Sequence, residues 1–187
     1  MIDGLFFIGL VANLLILIFV LLGTRKEDMR LWPPPSKQSW QYKAIWSIFG
    51  VLIVCVVALG YFDYSTWQLP AWLKFYVALP LAIIALTAGV VAALQLGWRN
   101  THGEAVEFID VGLYGYSRNP QYICLSIGYV FLGICLASVK VLILLVMIVV
   151  WYFRASLIEE KWLEQQYGKR YLAYKKQVPR FIGIGRA

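Results

Sequence analysis

Long apolar stretches alternate with short polar ones along the chain, and this pattern predicts helices that cross a membrane. A helix needs about 20 apolar residues to span the hydrocarbon core of a bilayer. Four stretches are long enough: Gly4 to Leu22, Ala44 to Phe62, Phe75 to Gly97, and Tyr122 to Ile158. The last is too long for one crossing and is broken only near Ser138-Val139-Lys140. We therefore predict an all-α polytopic membrane protein with about five transmembrane helices, the last two forming a helical hairpin.

The polar segments divide this prediction into two parts that we expect to form a single integrated domain. Residues 1–97 carry three N-terminal transmembrane helices, and residues 98–187 carry a long loop, the hairpin and a tail. Large apolar and aromatic side chains recur at helical spacing in the tail, at Trp162, Leu163, Tyr167, Tyr171 and Tyr174. Lysines and arginines fill much of the remainder, which predicts an interfacial amphipathic helix. On that pattern alone, Glu159 and Glu160 are first-turn acids that complement the helix dipole.

Composition agrees with a membrane protein. Hydrophobic residues make up 61% of the chain, charged residues only 14%, and the mean hydropathy is +0.70. The net charge of +7 lies mostly in segments next to predicted helices, where topology and anionic headgroups account for it. We therefore expect membrane lipids as partners and no nucleic acid. The cysteines, Cys55, Cys124 and Cys135, fall inside predicted helices without metal-ligand spacing, so we predict small apolar side chains and no metal site.

The distribution of basic residues predicts the orientation in the membrane. Lysines and arginines collect in cytoplasmic loops because they resist translocation. Fifteen of the 17 lie in the first loop (Thr24 to Lys43), the third loop (Trp98 to Gln121) or the tail, counted here from Arg154, and only Lys74 and Lys140 lie on the other side. We therefore expect the N-terminus outside and the C-terminus in the cytoplasm. The chain start has no basic segment typical of a secretory signal, so the first apolar stretch is interpreted as a retained helix.

Two of the loops show no sequence pattern that indicates a catalytic or ligand-binding site. Trp32-Pro33-Pro34-Pro35 forms a stiff extended segment because proline fixes the backbone, and we expect a spacer with an interfacial tryptophan. The loop from Asp63 to Lys74 carries Tyr64, Trp67 and Trp72, which fit an aromatic belt at the membrane boundary.

The loop from Trp98 to Gln121 is more informative. It combines glycines, three acids, the sole histidine, His102, and apolar residues spaced to pack inward, so we expect it to wrap around something. Asn119-Pro120 predicts a turn with Pro120 opening the fourth helix, whose free N–H groups could hold a carboxylate. His102 could accept a proton near neutral pH, but no partner spacing supports catalysis, and we interpret it as a polar loop residue.

Together, these elements resemble the membrane methyltransferases that include isoprenylcysteine carboxyl methyltransferase and the phospholipid methyltransferases. The family pattern is Gly-x-Tyr, Arg-His-Pro-x-Tyr, a hairpin of about forty residues, Glu-Glu, an aromatic residue before glycine, Tyr-x-x-Tyr and Val-Pro. The corresponding residues here are Gly112 to Tyr114, Arg118 to Tyr122, Glu159-Glu160, Tyr167-Gly168, Tyr171 to Tyr174 and Val178-Pro179. Each element is weak alone, but the ordered set is specific.

The resemblance implies a five-helix enzyme that uses S-adenosyl-L-methionine, held between the hairpin and the tail. Carried over by position, the cofactor-binding residues are Val106, Glu107, Phe108, Ile109, Tyr114, Arg118, Asn119, Pro120, Gln121, Tyr122, Glu159 and Glu160. Their chemistry fits, because aromatic and apolar side chains can enclose adenine. Backbone N–H groups or Arg118 can bind the methionyl carboxylate, and Glu159 can pair with the methionyl ammonium.

The sequence departs from the family pattern at two positions. Asn119 replaces the usual histidine, which excludes an imidazole there but leaves side-chain hydrogen bonding possible. Ala155 stands where the family has a substrate-binding arginine, four residues before the first glutamate. Arg154 is the nearest substitute and our substrate-binding candidate. A helix turns about 100° per residue, so Arg154 could instead be an arginine that extends to the membrane interface.

We therefore expect an integral membrane methyltransferase that acts on a lipophilic small molecule or lipidated substrate entering from the bilayer. Its methyl acceptor stays open between a prenylcysteine-type carboxylate, a phospholipid amine and another hydrophobic group. Two other hypotheses remain: a sterol-reductase-like membrane enzyme using NADPH, which is usually longer than this chain, and a small non-enzymatic membrane scaffold.

Overall fold

The computed structural model describes residues 1–22 and 31–182, and every regular element in these residues is helical. The long helices are α1 (Ile2–Leu22), α2 (Trp40–Phe62), α3 (Leu79–Leu96, preceded by a π-helical segment, Leu73–Ala78), α5 (Pro120–Leu136) and α6 (Val139–Tyr167). The short ones are α4 (Trp98–Thr101), a 3₁₀ turn (Gly112–Gly115) and α7 (Lys169–Gln177). The all-helical polytopic prediction is confirmed. Four of the five long helices have the length and composition to cross a membrane, and α5 is a shorter apolar helix of 17 residues.

The outer faces of the long helices are apolar, which fits a lipid surrounding. Phe7, Val54, Ile84 and Leu94 are each more than 60% exposed. Large exposed apolar surfaces of this kind mark contact with a membrane or a partner in preference to water. Together with the apolar spans, they identify an integral membrane protein.

Helices α3 and α5 pack closely through small residues. Gly89 of α3 faces Leu125 and Gly128 of α5 faces Leu86, and a Cβ atom at either glycine would lie within about 3 Å of the facing leucine side chain. Close contact at small residues is the usual way in which helices associate without a hydrophobic driving force. A second core, formed by α1, α2 and α6, buries leucine, isoleucine and valine side chains completely.

The predicted turn between the last two long helices is present. Helix α5 ends at Leu136, Ala137 adopts a left-handed conformation with φ +49°, and Ser138 caps α6 by accepting a hydrogen bond from the Val141 N–H at 3.2 Å. The backbone N–H groups of Ser65 and Trp67 donate to the carbonyls of Leu136 and Ala137. The loop after α2 is thereby bound to the turn, and we call this end of the bundle the hairpin end.

The tail begins differently from the prediction. Residues 159–167 are not a new helix but the continuation of α6, which ends at Gly168 with φ +52°. Glu159 and Glu160 therefore lie far from any first helical turn, and the dipole explanation is wrong. Only α7 is a separate helix, and its Tyr171 and Tyr174 are buried against Phe108 of the third loop. We call this opposite end of the bundle the tail end.

The predicted basic cluster can be followed only in part. Arg25, Lys26, Arg30 and Arg186 lie outside the described residues. Lys74 and Lys140 lie at the hairpin end, where Lys74 donates to Ser65 and Lys140 approaches Asp63. Lys37, Arg99 and Arg118 lie at the tail end with the acids Glu104 and Glu160. This segregation fits the predicted pattern, while the orientation across a membrane stays a prediction.

Candidate functional site

A cavity of about 270 Å³ opens at the tail end. Its walls come from the third loop, the N-terminal turns of α5, the second half of α6 and helix α7. Trp32 of the first loop and Ile45, Trp46 and Phe49 of α2 close its inner side. Small-molecule sites are concave and largely apolar with a few placed polar groups, and this cavity has that character.

Most of the residues singled out in the sequence line this one cavity. They are Glu107, Phe108, Ile109, Tyr114, Arg118, Asn119, Gln121, Tyr122 and Glu159. Val106 is exposed, Pro120 is buried at the start of α5, and Glu160 faces the arginines of the loop and tail, so the structure does not bring these three to the wall. Tyr122 in the first turn of α5 and Glu159 in the second half of α6, which are 37 residues apart in the sequence, do meet.

Glu159 lies in a short chain of hydrogen bonds. The Tyr122 hydroxyl donates to Glu159 Oε2 at 2.8 Å. The indole N–H of Trp32 donates to the Tyr122 oxygen at 3.0 Å and reaches Glu159 Oε2 at 3.4 Å. Oε1 accepts no hydrogen bond from the described residues. One oxygen of this carboxylate is therefore held by the protein, and the other has no hydrogen-bond donor among the described residues.

Glu160, the neighbouring acid, has a structural role instead. The Arg180 guanidinium binds both of its oxygens, through Nε and Nη2, each at 2.8 Å. Arg118 Nη1 lies 2.8 Å from Oε1, and Glu160 is only 4% exposed. A buried carboxylate with this many cationic partners is fully used. Glu160 therefore joins α6, the third loop and the tail.

Arg118 retains unused hydrogen-bonding capacity on the cavity wall. Its side chain is 7% exposed, and its Nε and Nη1 make no hydrogen bond within the described part of the chain. The close approach of Nη1 to Glu160 is an ion pair by distance, although the N–H does not point at the oxygen well enough for a hydrogen bond. A guanidinium in this state can take a further anionic partner.

The tail covers the loop through hydrogen bonds to its backbone. The Tyr174 hydroxyl donates to the carbonyl of Tyr114 at 2.6 Å, and the Arg118 N–H donates to the carbonyl of Pro179 at 3.0 Å. Asn119 donates through Nδ2 to the Arg180 carbonyl at 2.9 Å and makes no side-chain cap to α5. Burial raises the pKa of Tyr174 well above its usual value, so its hydroxyl stays a donor. The Tyr-x-x-Tyr and Val-Pro elements thus attach the tail to the third loop beside the cavity.

Aromatic rings form both the outer and the inner parts of the cavity. The Phe108 ring lies 5.1 Å from Tyr167 and 5.4 Å from Tyr174 between ring centroids, with the Arg170 guanidinium 4.6 Å above it. Deeper in, the rings of Trp46, Phe49, Trp151, Tyr152 and Tyr129 pack against one another or against Tyr122. The outer part suits a flat ring, and the inner part suits an apolar group.

Two residues of the sequence analysis occupy positions away from the cavity wall. Arg154 is exposed while Ala155 is fully buried, because one residue further along the helix rotates the side chain by about 100°. His102 stacks between Trp46 at 4.5 Å and Trp98 at 4.1 Å, and its Nδ1 lies 2.7 Å from the Trp98 carbonyl oxygen. These contacts support the interpretation of His102 as a structural loop residue.

The expected spacer segment is part of the site. Trp32 is 7% exposed, Leu31 and Pro33 are fully buried, and the Trp32 indole bonds to Tyr122 and Glu159. The interpretation of this segment as a spacer was therefore wrong. The only local signal was a tryptophan next to three prolines, which gives rigidity without indicating a target. Arg180, which binds Glu160, was likewise not predicted.

Comparison with known proteins agrees with the resemblance drawn from the motifs. A family model described as phospholipid methyltransferase matches residues 73–170, just over half of the 187 residues. No curated protein and no solved structure gives a significant match. The matched region includes the third loop, α5 and α6 with Glu159, but ends before the Tyr-x-x-Tyr and Val-Pro elements of the tail. The chain belongs to the phospholipid methyltransferase family of membrane methyltransferases.

Proposed function

We propose that the cavity at the tail end binds S-adenosyl-L-methionine and that the protein transfers a methyl group to a lipophilic acceptor in the membrane. The carrying observation is the pair of polar groups on its wall. Glu159 has one oxygen without a partner, and Arg118 has donors without partners, among the described residues. A carboxylate and a guanidinium that can each form further hydrogen bonds, on the wall of one aromatic cavity, match the ammonium and carboxylate of an amino acid attached to a nucleoside.

The residues present fit the cofactor that the family implies. Arg118, with the uncapped N-terminal turn of α5 beside it, would hold the methionyl carboxylate. Glu159 Oε1 would pair with the methionyl ammonium. Phe108, Tyr167 and Tyr174 would enclose the adenine, since their rings form the outer wall. When bound, S-adenosyl-L-methionine supplies an electrophilic methyl group on a sulfonium, and the electron-rich aromatic faces nearby favour such a cation.

The chain's own contribution to methyl transfer is binding, alignment and exclusion of water. A correctly aligned acceptor needs little further catalysis, and the tail, which is hydrogen-bonded to the third loop and the start of α5, would limit the entry of water from the polar side. The inner wall of Trp46, Phe49 and Trp151 would hold the apolar part of the acceptor, which would enter laterally between helices. A carboxylate acceptor would need no base, and an amine would lose its proton to solvent or to a side chain.

The family match leaves the acceptor open. The α2 part of the inner wall, Ile45, Trp46 and Phe49, lies before residue 73, where the match begins. A prenylcysteine-type carboxylate, a phospholipid amine and another lipophilic group therefore all remain within the proposal. The orientation across the membrane is also part of the proposal. The cavity would lie on the cytoplasmic side, where the water-soluble cofactor is present.

Thermal unfolding of the purified full-length protein in detergent tests the cofactor class. Only a specific ligand of the folded state raises the melting temperature. We expect S-adenosylhomocysteine to raise it and NADPH to leave it unchanged. A rise with NADPH alone would favour a reductase, and no rise with either ligand would favour a non-enzymatic scaffold; both results would refute the proposal.

Calorimetry with the Glu159→Gln variant tests the site. We expect this change to abolish measurable S-adenosylhomocysteine binding while the protein stays folded, because the amide cannot neutralise an ammonium. Glu164→Gln is the matched control: Glu164 lies on the same helix, pairs with Lys175 at 2.5 Å and does not line the cavity. Wild-type affinity in Glu159→Gln would count against the site.

A further inference from the structure

Trp32 reaches the proposed cofactor site from outside the family-matched region. It lies 41 residues before residue 73, where the match begins, and yet it bonds to the Tyr122–Glu159 pair. We propose that Trp32 is a positioning residue whose indole N–H fixes the Glu159 carboxylate, so that Oε1 points into the cavity toward the ammonium of the cofactor. This inference rests on the proposed function and deepens it.

The direction of the hydrogen bonds is fixed by chemistry. An indole N–H can only donate, and a tyrosine hydroxyl has one hydrogen to donate. Because the Trp32 N–H donates to the Tyr122 oxygen at 3.0 Å, the Tyr122 hydrogen is free to point to Glu159 Oε2 at 2.8 Å. The chain therefore runs from Trp32 through Tyr122 to Glu159. A second, longer approach of the indole N–H to Oε2, at 3.4 Å, adds to it.

Both donors converge on the same carboxylate oxygen. Rotation of the Glu159 carboxylate would exchange its two oxygens only by breaking the bond from Tyr122 and the approach of Trp32. Oε1 is consequently held away from these donors, and it accepts nothing from the described residues. Preorganised groups of this kind bind a ligand without first having to be ordered.

Trp32 is itself held rigidly. Its ring packs edge-on against Trp46, with 6.4 Å between centroids. Gly103 of the third loop presses on the same segment, since a Cβ atom there would lie 3.2 Å from Trp32 Cζ3 and 2.6 Å from Pro34 Cδ. Pro33 and Pro34 restrict the backbone that follows. The indole N–H thus has little freedom to leave Tyr122.

Packing alone does not explain this bond. Trp46 and Trp151 belong to the same aromatic lining, and their indole nitrogens have no hydrogen-bond partner in the described part of the chain. A buried ring in this lining therefore does not require a bonded N–H. Of Trp32, Trp46 and Trp151, only Trp32 has a hydrogen-bonded indole N–H within the described residues, and Trp32 is the one that reaches Glu159.

The test uses two ligands that differ only at the amino-acid head. S-adenosylhomocysteine carries the ammonium and carboxylate, whereas 5′-methylthioadenosine keeps the adenosine and a thioether but lacks both charges. Affinities are measured by calorimetry on full-length protein in detergent, for wild type, Trp32→Phe, Tyr122→Phe and the double variant. Trp40→Phe is the matched control, since Trp40 is 49% exposed at the start of α2 and does not line the cavity.

We expect Trp32→Phe to weaken S-adenosylhomocysteine binding about tenfold, which equals about 1.4 kcal/mol and is within the range of one hydrogen bond, and to leave 5′-methylthioadenosine binding unchanged. The double variant should lose less than the product of the two single losses, because both changes break one chain. Trp40→Phe should match wild type with both ligands.

Equal weakening of both ligands by Trp32→Phe, or wild-type affinity for both, would overturn the inference and leave the proposed function standing. Wild-type protein that binds neither ligand would refute the proposed function, and the inference with it. If Trp32→Phe gives no folded protein, Tyr122→Phe breaks the same chain. Selective loss of S-adenosylhomocysteine then supports the inference, and a loss shared by both ligands, or no loss, overturns it.

Discussion

Two carboxylates near opposite ends of α6 differ in how their oxygens are used. At the hairpin end, Asp63 is 4% exposed and both of its oxygens are occupied. Ser138 donates to Oδ2 at 2.6 Å, Thr66 donates to the same oxygen at 3.2 Å, and Lys140 reaches Oδ1 at 3.4 Å. At the tail end, Glu159 uses Oε2 alone. The two ends lie about 30 Å apart, at 1.5 Å of rise per residue between Ser138 and Glu159.

This difference in the use of the oxygens distinguishes a carboxylate that only joins parts of the protein, which we call a structural lock, from one that belongs to a candidate site. A buried polar group normally has its partners, and each exception needs an explanation. Asp63 has them, and it joins the loop after α2 to the turn between α5 and α6. Glu159 and Arg118 lack some of theirs among the described residues and share a cavity, and the ligand we propose would supply them. Glu160, one residue away from Glu159, behaves like Asp63, which shows that proximity to the cavity does not by itself leave a group unsatisfied.

The largest effect on stability is expected from Glu160→Gln. This change leaves the Arg118 and Arg180 guanidinium groups without their carboxylate, and breaking a buried ion pair costs about 3 kcal/mol. Unfolding in denaturant, followed by circular dichroism in detergent, measures the loss. Glu159→Gln, the adjacent change, should leave the unfolding midpoint nearly unaltered. If the two variants unfold alike, the division between lock and site fails at the tail end.

At the hairpin end, Asp63→Asn should cost about 2 kcal/mol, because Ser138 and Lys140 lose a charged acceptor. Affinity for S-adenosylhomocysteine should not change, since the cavity lies at the other end of α6. Asp3→Asn serves as the control. Asp3 also pairs with Lys140, at 3.3 Å, but is 91% exposed, and exposed pairs contribute little. A lower ligand affinity in Asp63→Asn would show that the two ends are coupled.

Much of the fold could be predicted because the membrane simplifies the problem. Apolar stretches of spanning length must be helices in lipid, so their positions and the turn near Ser138 followed from hydropathy alone. The extension of α6 through Tyr167 could not be predicted in this way. Hydropathy reports where the apolar stretch ends, and the helix continues beyond it until Gly168.

The residues of the site likewise divide into those that a sequence pattern predicted and those that it did not. The ordered motif set from Gly112 to Pro179 led to a predicted group of residues, most of which the structure brings to one cavity. Trp32 was missed because its contact spans 90 residues to Tyr122, and nothing in its local sequence indicates the partner. Arg154 was ambiguous because a shift of one position on a helix changes the face, and the structure places it on the outer one.

The acid stability of the hairpin end gives a smaller, pH-dependent test. Burial alone would raise the pKa of Asp63, but the hydrogen bond from Ser138 and the charge of Lys140 outweigh it and hold the pKa below its ordinary value. A lowered pKa in the folded state means that the carboxylate stabilises the fold above about pH 4, its unfolded pKa. This contribution is lost as pH falls from there through the folded pKa.

Melting temperatures between about pH 3 and pH 6 check this expectation. Wild type should lose stability more steeply below about pH 4 than Asp63→Asn, which has no proton to take up at this position. Comparison of the two proteins removes the effect of the other carboxylates, which they share. Parallel curves would mean that Asp63 does not contribute to acid unfolding, and would weaken its assignment as a charged lock.

The smallest expected effect concerns Gly103 and tests whether the first loop belongs to the site. Gly103 has φ +86°, and an added Cβ would collide with Pro34 and press on Trp32. Gly103→Ala should therefore lose about 1 kcal/mol from backbone strain. It should also weaken S-adenosylhomocysteine about threefold, because a displaced Trp32 holds Tyr122 and Glu159 less well.

Gly97→Ala separates the two causes. Gly97 has nearly the same φ, +87°, but nothing lies within 4 Å of the Cβ position, so it has the strain without the collision. Loss of stability in both variants, with weaker ligand binding in Gly103→Ala alone, would assign the effect on binding to the displaced Trp32. If Gly97→Ala also weakens binding, strain in the third loop is sufficient, and the position of the first loop is not what holds Glu159.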